Sequence, residues 1–575
     1  MKEKIVKILQ GIIGQDAFPP DVSVPEKENF GHYSTNIALR LSGGAGGAEK
    51  PLAWAERLAA EIRKAAPAGF FEKVEAAPPG FINFWLSPET IQKKFGEISR
   101  EESFGTNGSM KGKTVMVEFT DPNPFKLFHI GHLMSNTIGE SLARLYEAAG
   151  ATVRRADYYG DVGLHIAKAI WGMEQLAAER PDEKDDAAKK MDFLGRAYAL
   201  GSRAYEEKPE SKEAIIELNK KIYERSDAKV NQWYDAGLAW SLAYFETVFK
   251  RLGTKFDDYF PESDVGKEGL DLVLAHKDIF MESDGAIVFP GEQYGLHTRV
   301  FVNAQGLPTY EAKELGLNRK KFKLYPLDLS IVVTGNEIVD YFKVLLKAME
   351  LIMPEVAAKT KHVAHGMLRL PTGKMSSRTG EVVTAASLID DVKAKLAEYA
   401  SGKMDLTADE RAAAAEVIAI GAVKYSILKQ HPGQDIVFDF GKSLSFEGDS
   451  GPYLQYAYAR LRSILRKAGG VGDTTGTAEA ADFGTLTTEN ELMLMRKIFA
   501  FPDAVRRAQE MLAPSGFVAY LYQLAAVANK FYETTPILKD ENVARRNARL
   551  ALAATAARVL KKGLALLGIG ALEKI

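Results

Sequence analysis

The stretch Thr114–His132, TVMVEFTDPNPFKLFHIGH, decides how this chain folds. Thr114–Thr120 is apolar or β-branched apart from Glu118, the pattern of a buried strand. A polar, proline-rich loop follows, Asp121–Phe128. From His132 an amphipathic helix is expected to run to Ala149 and to stop at Gly150. Thr152–Tyr159 repeats the strand pattern, and another helix begins near Gly163. Strand, loop, helix, strand, helix is the order of a βαβ unit, so a parallel sheet covered by helices is expected. Leu329–Val333 (LSIVV) reads as a further interior strand.

On the N-terminal side the pattern is that of a small α+β domain. Met1–Ile13 and Pro51–Lys64 have helical spacing, with Pro51 suited to a first turn. Gly80–Leu86 reads as a strand after a Pro-Pro-Gly turn, and Gly105–Lys113 as a linker. Gln175 to about Asp257 is rich in Ala, Glu and Lys and reads as a helical insertion, with Glu179–Lys190 a solvated loop or helix start. Strand patterns resume at Ala286–Pro290 and Thr298–Val302. From about Lys395 the chain is helical by pattern, broken by Gly- and Thr-rich loops such as Gly469–Thr487. No fixed-period repeat is present, which argues against a solenoid. Three domains are therefore expected: 1–105, 106–394 with the insertion at about 175–257, and 395–575.

Composition bounds the function. A chain of 575 residues with 46% hydrophobic and 26% charged residues reads as a multidomain globular protein. Its formal charge is only −2, but Gly451–Ile575 carries 17 Lys or Arg against 11 Asp or Glu, a net of +6. Such a region attracts a polyanion locally, although solvated helix faces explain the charge equally. The absence of cysteine excludes disulfides, thiolate metal sites and Cys nucleophiles. Met1–Gly11 has no signal-peptide pattern, and the most apolar stretch, Ala551–Gly568, is interrupted by Arg558, Lys561 and Lys562. A cytoplasmic protein without a membrane span is expected.

Two short motifs carry the chemistry. His129 and His132 fall at a helix N-terminus, where free N–H groups and the helix dipole favour an anion. Gly131 between them lets a flat ring or a phosphate approach the backbone, and imidazoles beside that point can donate to phosphate oxygens. Taken alone, the four residues fit helix capping as well. Zinc would need further ligands that a chain with no Cys and scattered His does not offer. The second motif is GKMSSRTG, Gly373–Gly380. Here Lys374 supplies a point charge, Ser376 and Ser377 supply hydroxyl donors, and the glycines act as hinges, so the loop can fold over a triphosphate. An exposed basic turn is the plainer alternative.

Together the motifs are more specific. HIGH after a parallel-type strand, with KMSSR far downstream and just before a helical domain, resembles a class I aminoacyl-tRNA synthetase. VEFTDPNPFKLFHIGHL, YYGDVG, PTYEAKELGL, FEGDSGPYLQYAYARLRSIL and ARLALAATAARVLKKGLALLGI all resemble the arginyl-tRNA synthetase family. The likeness runs from FGHYSTN (Phe30–Asn36) to the last helix, and the insertion matches least. It implies a Rossmann-like catalytic domain, an N-terminal domain on the tRNA elbow and an all-α anticodon-binding domain.

The resemblance further implies that arginine and ATP give arginyl-adenylate, and that arginine then passes to the 3′-terminal adenosine of tRNA(Arg). By likeness His129 and His132 face the phosphates, Gly131 lies against adenine and Lys374 approaches the leaving diphosphate. Ser377 stands where the common KMSKS loop has its second lysine, and Lys126 is expected to replace that cation. Glu118, Asn123, Tyr310 and Glu314 match positions lining the arginine site. Many relatives have Asp at the position of Glu314. A guanidinium wants planar, charged acceptors, and residues 310 and 314 share a helix face. An inward Glu118 in an apolar strand needs a partner. Gly335 and Glu337 are expected at the ATP ribose, and Met367 and Leu368 offer backbone groups to adenine, although an ordinary strand end explains these as well. Tyr453, Tyr456 and Arg460 match RNA-facing positions, whereas their spacing alone also fits a buried helix stripe. His32 replaces the usual Asp after Phe-Gly in the N-terminal domain. Mg²⁺ is expected with ATP, with no metal held by the protein itself, and a monomer is expected. Coupling of arginine activation to bound tRNA is also expected.

Two other readings compete. One is a related adenylate-forming enzyme with another acceptor, against which the acidic residues and the helical domain argue. The other is a silent paralogue, against which intact His129, His132 and Lys374 argue.

Overall fold

A computed structural model describes residues 1–14, 19–25, 27–44, 50–370, 383–399, 407–469 and 481–575. The loop carrying Lys374, Ser376 and Ser377 lies outside the described residues. The N-terminal region opens with helix Lys2–Ile13 and builds an antiparallel sheet from β1 (Val22–Ser23), β2 (Tyr33–Thr35), β3 (Phe71–Ala77) and β4 (Phe81–Leu86), in the order β1-β2-β4-β3. The Pro-Pro-Gly turn joins β3 to β4, and helix Pro51–Ala65 packs on them. His32 accepts a hydrogen bond at Nδ1 from the Leu86 N–H at 3.0 Å. The departure at that position therefore serves this sheet.

The centre of the molecule is a five-stranded parallel sheet. It comprises β5 (Thr114–Phe119), β6 (Thr152–Tyr159), β7 (Asp258–Pro261), β11 (Leu329–Gly335) and β12 (Thr360–His365), ordered β12-β11-β5-β6-β7. Chain order runs outward from β5 through β6 to β7, then restarts on the other side at β11. The switch point, where open α/β sheets hold ligands, thus lies between the C-terminal ends of β5 and β11. A separate antiparallel sheet of β8 (Met281–Ser283), β9 (Ala286–Phe289) and β10 (Arg299–Val302) sits between β7 and β11 in sequence. β13 (Leu368–Arg369) pairs with β14 (Ile436–Val437) in parallel.

Helices Ala187–Glu207, Pro209–Glu224 and Ala228–Leu252 form the insertion and close a core of their own around Ile166, Ile170, Phe193, Leu194 and Trp233. After the short β14, the described C-terminal residues are almost wholly helical, ending in helix Val543–Leu566. No described helix is long and apolar enough to cross a membrane.

Two features of this architecture place the site. The first is the loop after β5, which holds three non-glycine residues at positive φ: Thr120 (86°), Asp121 (49°) and Phe125 (64°). A β-branched residue at such a φ is strained and persists only when its surroundings fix it. Thr120 N–H donates to Ser135 Oγ at 2.9 Å, and Thr120 Oγ1 accepts from Asn136 Nδ2 at 3.0 Å. Phe125 N–H donates to Ser241 Oγ of the insertion at 2.9 Å. The second feature is the crossing of helices Glu262–Ala275 and Tyr310–Leu324, which touch backbone to backbone. A Cβ on Gly269 would lie 1.9 Å from the Ala312 carbonyl oxygen, and one on Gly316 2.3 Å from that of Val265.

Gly269→Ala must push these helices apart and is expected to cost about 1–3 kcal/mol of stability. Gly266→Ala on the same helix makes ordinary contacts, with Pro308 at 3.5 Å and Lys313 at 3.9 Å, and should be near neutral. Denaturant unfolding of the two variants checks the contrast, and equal midpoints would contradict the crossing.

Candidate active site

The strained loop delivers His129 to the N-cap of helix Ile130–Ala148. Its Nδ1 accepts from the N–H groups of Gly131 (3.1 Å) and His132 (3.4 Å), while His132 Nδ1 accepts from His129 N–H at 3.3 Å. The two rings stack with centroids 3.7 Å apart. The helix-capping reading of these histidines is therefore correct. It also fixes their tautomer, because an Nδ1 that accepts leaves the proton on Nε2. Burial and the neighbouring Lys126 push the His129 imidazole down to about 4, and burial, with His129 next, pushes His132 well below the usual range. Two neutral Nε2–H donors result. Gly131 is required here because a Cβ would stand 2.9 Å from His129 Cε1.

Lys126 lies with its Nζ 5.0 Å from the centre of the Tyr198 ring, on the insertion side of the same site. Downstream of the undescribed loop, Ile130 N–H donates to Val383 O at 3.3 Å and Ala385 N–H to Phe128 O at 3.0 Å. The chain leaving the GKMSSRTG motif thus returns onto the histidine segment. Across the switch point, β11 ends at Gly335, and the Glu337 carboxylate folds back over it. Met367 is paired within the protein. Its N–H donates to Asp435 Oδ1 and its carbonyl accepts from Ile436 N–H, both at 2.8 Å, so its backbone is already engaged. Leu368 lies opposite Ile436, where the flanking carbonyls of Met367 and Arg369 accept the cross-strand bonds.

Beside the histidines lies a buried cluster of charge. Glu118 on β5 is 1% exposed and forms an ion pair with the fully buried Lys321. Neither Glu118 Oε2 nor Lys321 Nζ makes a directional hydrogen bond among the described residues. Glu314, one turn after Tyr310, is buried, whereas Tyr310 is 57% exposed at the rim. Burial, then the Glu118 charge, raises the Glu314 carboxyl to about 8, with Lys321 opposing. Asp121 and Asp157 are held well above the carboxylate range, in both cases chiefly by burial. Asn123 projects its Oδ1 over the Gly160 backbone.

Sequence reasoning missed Lys321, Asp121 and Asp157, and three further members of this cluster. Glu262 and Lys313 form a buried ion pair at 2.7 Å, with Lys313 Nζ also 5.3 Å from the Tyr310 ring centre. Tyr158, on β6, has a buried hydroxyl with no hydrogen-bond partner among the described residues, its proton held firmly by burial and by the nearby Glu262 and Glu314. The alternating acids and lysines of YEAKEL were the only sequence signal, and they read equally as a solvated helix face.

In the C-terminal region Tyr453, Tyr456 and Arg460 share one half-exposed face of helix Gly451–Lys467, whereas Leu454, Ala457, Tyr458 and Leu461 are buried. The two tyrosines are partly buried at the edge of the core, Tyr453 with its ring 5.5 Å from that of Tyr522 and Tyr456 with its ring 6.0 Å from that of Phe446. Arg460 lies 4.6 Å from the Tyr456 ring centre and pairs with Glu533 at 2.6 Å.

A parallel sheet whose switch point carries a histidine-capped helix, followed by a helical domain, is the arrangement that the sequence resemblance to class I aminoacyl-tRNA synthetases implies. Comparison with known proteins agrees. Residues 98–440 match the family described as tRNA synthetases class I (R), catalytic domain. Residues 1–86 match an arginyl tRNA synthetase N terminal domain, and residues 454–575 a DALR anticodon binding domain. An arginine–tRNA ligase of Fusobacterium nucleatum is 32% identical over 97% of this chain and 95% of its own length. One of Treponema denticola is 32% identical over 83% and 82%. The arginyl-tRNA synthetase structure of Thermus thermophilus superposes with a TM-score of 0.83 at 26% identity, covering 100% of this chain and 99% of that one. The chain belongs to the arginyl-tRNA synthetase family.

Nitrogen-15 NMR should find His129 neutral, with its proton on Nε2, at pH 6, and titrating only near 4. The depressed value also means that the cap's contribution to stability is complete above about 6.5 and is lost as the pH falls through about 4. A His129 resonance titrating near 6.5 would contradict the cap.

Proposed function

We propose that this site carries both steps of the family reaction with the division of labour set out here. The reaction is that of an arginine–tRNA ligase. The arginine carboxylate attacks the α-phosphate of ATP, a carbonyl–O–P bond forms and the bond to the diphosphate breaks. A ribose hydroxyl of the 3′-terminal adenosine of tRNA(Arg) then takes the arginyl group and AMP leaves. The attacking carboxylate is already ionised, so catalysis of the first step is positioning and charge stabilisation.

His129 and His132 donate from Nε2 to the phosphate oxygens as charge develops. Lys126, and Lys374 with Ser376 and Ser377 from the downstream loop, neutralise the departing diphosphate. Gly131, Gly335, Glu337 and Leu368 border the nucleotide. Glu118, Asn123, Tyr310 and Glu314 receive arginine, and Glu262 joins them. The observation that carries this reading is the buried Glu314 carboxyl, raised to about 8 among other acids. Such a group gains most from a cation that can pair with it. A guanidinium does so with two parallel hydrogen bonds.

Mg²⁺ would enter on the phosphates of ATP. Among the described residues no group of three or more His, Asp or Glu side chains is arranged to hold an ion. Tyr453, Tyr456 and Arg460 are proposed to meet unpaired tRNA bases, which their half-exposed face supports. The domain limits near 105 and 394, a monomeric state and a cytoplasmic location rest on the sequence resemblance.

Arginine-dependent exchange of labelled diphosphate into ATP, with tRNA(Arg) present, tests the assignment. Lys126→Ala should slow exchange roughly tenfold or more while leaving the arginine KM little changed. An unchanged rate would end its role as substitute cation. Glu314→Gln should raise the arginine KM roughly a hundredfold. An unchanged KM would remove Glu314 from the arginine site.

A further inference from the structure

The last helix of the insertion, Ala228–Leu252, and the two residues after it, Gly253 and Thr254, are held by two other helices. Lys424 Nζ donates to Leu252 O at 2.6 Å and to Gly568 O at 2.9 Å. Arg144 donates to Gly253 O at 2.9 Å and to Ala565 O at 2.8 Å, and Ser141 Oγ to Leu566 O at 3.1 Å. Thr254 Oγ1 donates to Asn136 Oδ1 at 3.0 Å. Two helix C-termini, one from the insertion and one from the C-terminal domain, thus converge on two cations. Their carbonyl dipoles supply the negative charge.

Lys424 is 1% exposed, and among the described residues no carboxylate forms an ion pair with it. Burial, then the charge of Arg144, lowers its ammonium to about 7, with Glu140 opposing. An apolar side chain would fill the space without that desolvation. What the ammonium adds is a fixed spacing between Leu252 and Gly568.

Both ends of this joint reach functional elements. On one side, helix Gly451–Lys467, which carries Tyr453, Tyr456 and Arg460, packs directly on the helix of Lys424. A Cβ on Gly451 would lie 2.4 Å from Gly421 O, and Gln455 Nε2 donates to Gly570 O at 2.8 Å. On the other side, Asn136 links Thr254 to Thr120, the strained residue from which the loop to His129 starts. Arg144 and Asn136 both lie on the helix that His129 caps.

We propose that Lys424 is a positioning residue for aminoacylation. Together with Arg144 it fixes the tRNA-facing helical domain to Leu252–Thr254 and, through Asn136, holds Thr120 and the loop that carries His129. This rests on the functional reading above, and the path is a contiguous set of hydrogen bonds whose coupling remains to be measured.

The test uses the full chain and three variants, Lys424→Met, Thr254→Val and the double. Diphosphate exchange is measured with tRNA(Arg), alongside thermal unfolding. Each single variant should lower kcat roughly tenfold, with arginine and ATP KM values within about twofold of the parent. The double should be no slower than the slower single, because both break one path. Effects that multiply in the double would overturn the proposal, as would singles that change only the unfolding temperature. If Lys424→Met does not fold, Thr254→Val alone decides: a tenfold loss supports the joint and an unchanged kcat overturns it. A parent chain with no exchange at all would instead overturn the functional reading, and the joint's proposed role with it.

Discussion

Four buried carboxylates, Glu118, Asp157, Glu262 and Glu314, face two buried lysines, Lys313 and Lys321, at the C-terminal edge of the central sheet. Taking six ionisable groups out of water is costly, and pairing recovers only part of the cost. Glu118 pairs with Lys321 and Glu262 with Lys313, while Asp157 and Glu314 hold their protons more tightly than ordinary carboxyls because they are buried. In the proposed reading these acids are what a further cation, the guanidinium of arginine, would pair with. A pocket that was already neutral and fully paired would have no reason to prefer a guanidinium to any other polar group.

The rest of the structure keeps that imbalance in place. Gly269 and Gly316 bring two helices close enough for Glu262 and Lys313 to meet. The parallel register sets Glu118 beside Val332 and Ala156 in the middle of the sheet, where water does not reach. The loop after β5 turns sharply through Thr120 and Asp121, so the acid cluster and the histidine cap occupy neighbouring ends of one short segment. The insertion secures that segment at Phe125 and the β11 side secures it through Ser135, whose hydroxyl donates to Val333 O at 2.7 Å. Arginine and ATP phosphates would meet where these two devices adjoin.

How much of this the sequence revealed depended on how local the signal was. The strands Thr114–Phe119 and Leu329–Gly335 were legible because apolar runs have few other uses, and Thr152–Tyr159, although it carries Arg154, Arg155 and Asp157, follows the helix where a βαβ unit needs its next strand. Phe71–Ala77 was not legible, since it is an edge strand bearing Glu72, Lys73 and Glu75, and Thr360–His365 was masked by its lysine and two histidines. The histidine cap was legible as one of two readings, and capping is the one the structure shows, with the proton left on each Nε2. The Glu262–Lys313 and Glu118–Lys321 pairs were hidden because each joins residues far apart in sequence, and a charged residue in a string reads as solvent-facing. The stripe Tyr453, Tyr456, Arg460 was ambiguous for the same reason, as spacing does not say which face of a helix is outward.

Calorimetric titration of arginine into the protein at pH 7, in two buffers of different ionisation enthalpy, tests the central claim most directly. Glu314, raised to about 8 in the free protein, must ionise to pair with a guanidinium. The account predicts release of about one proton per arginine bound, with tighter binding as the pH rises towards 8 and no further gain above it. Glu314→Gln should abolish the release. Binding of arginine with no proton released, and with an affinity flat from pH 6 to 9, would contradict the account.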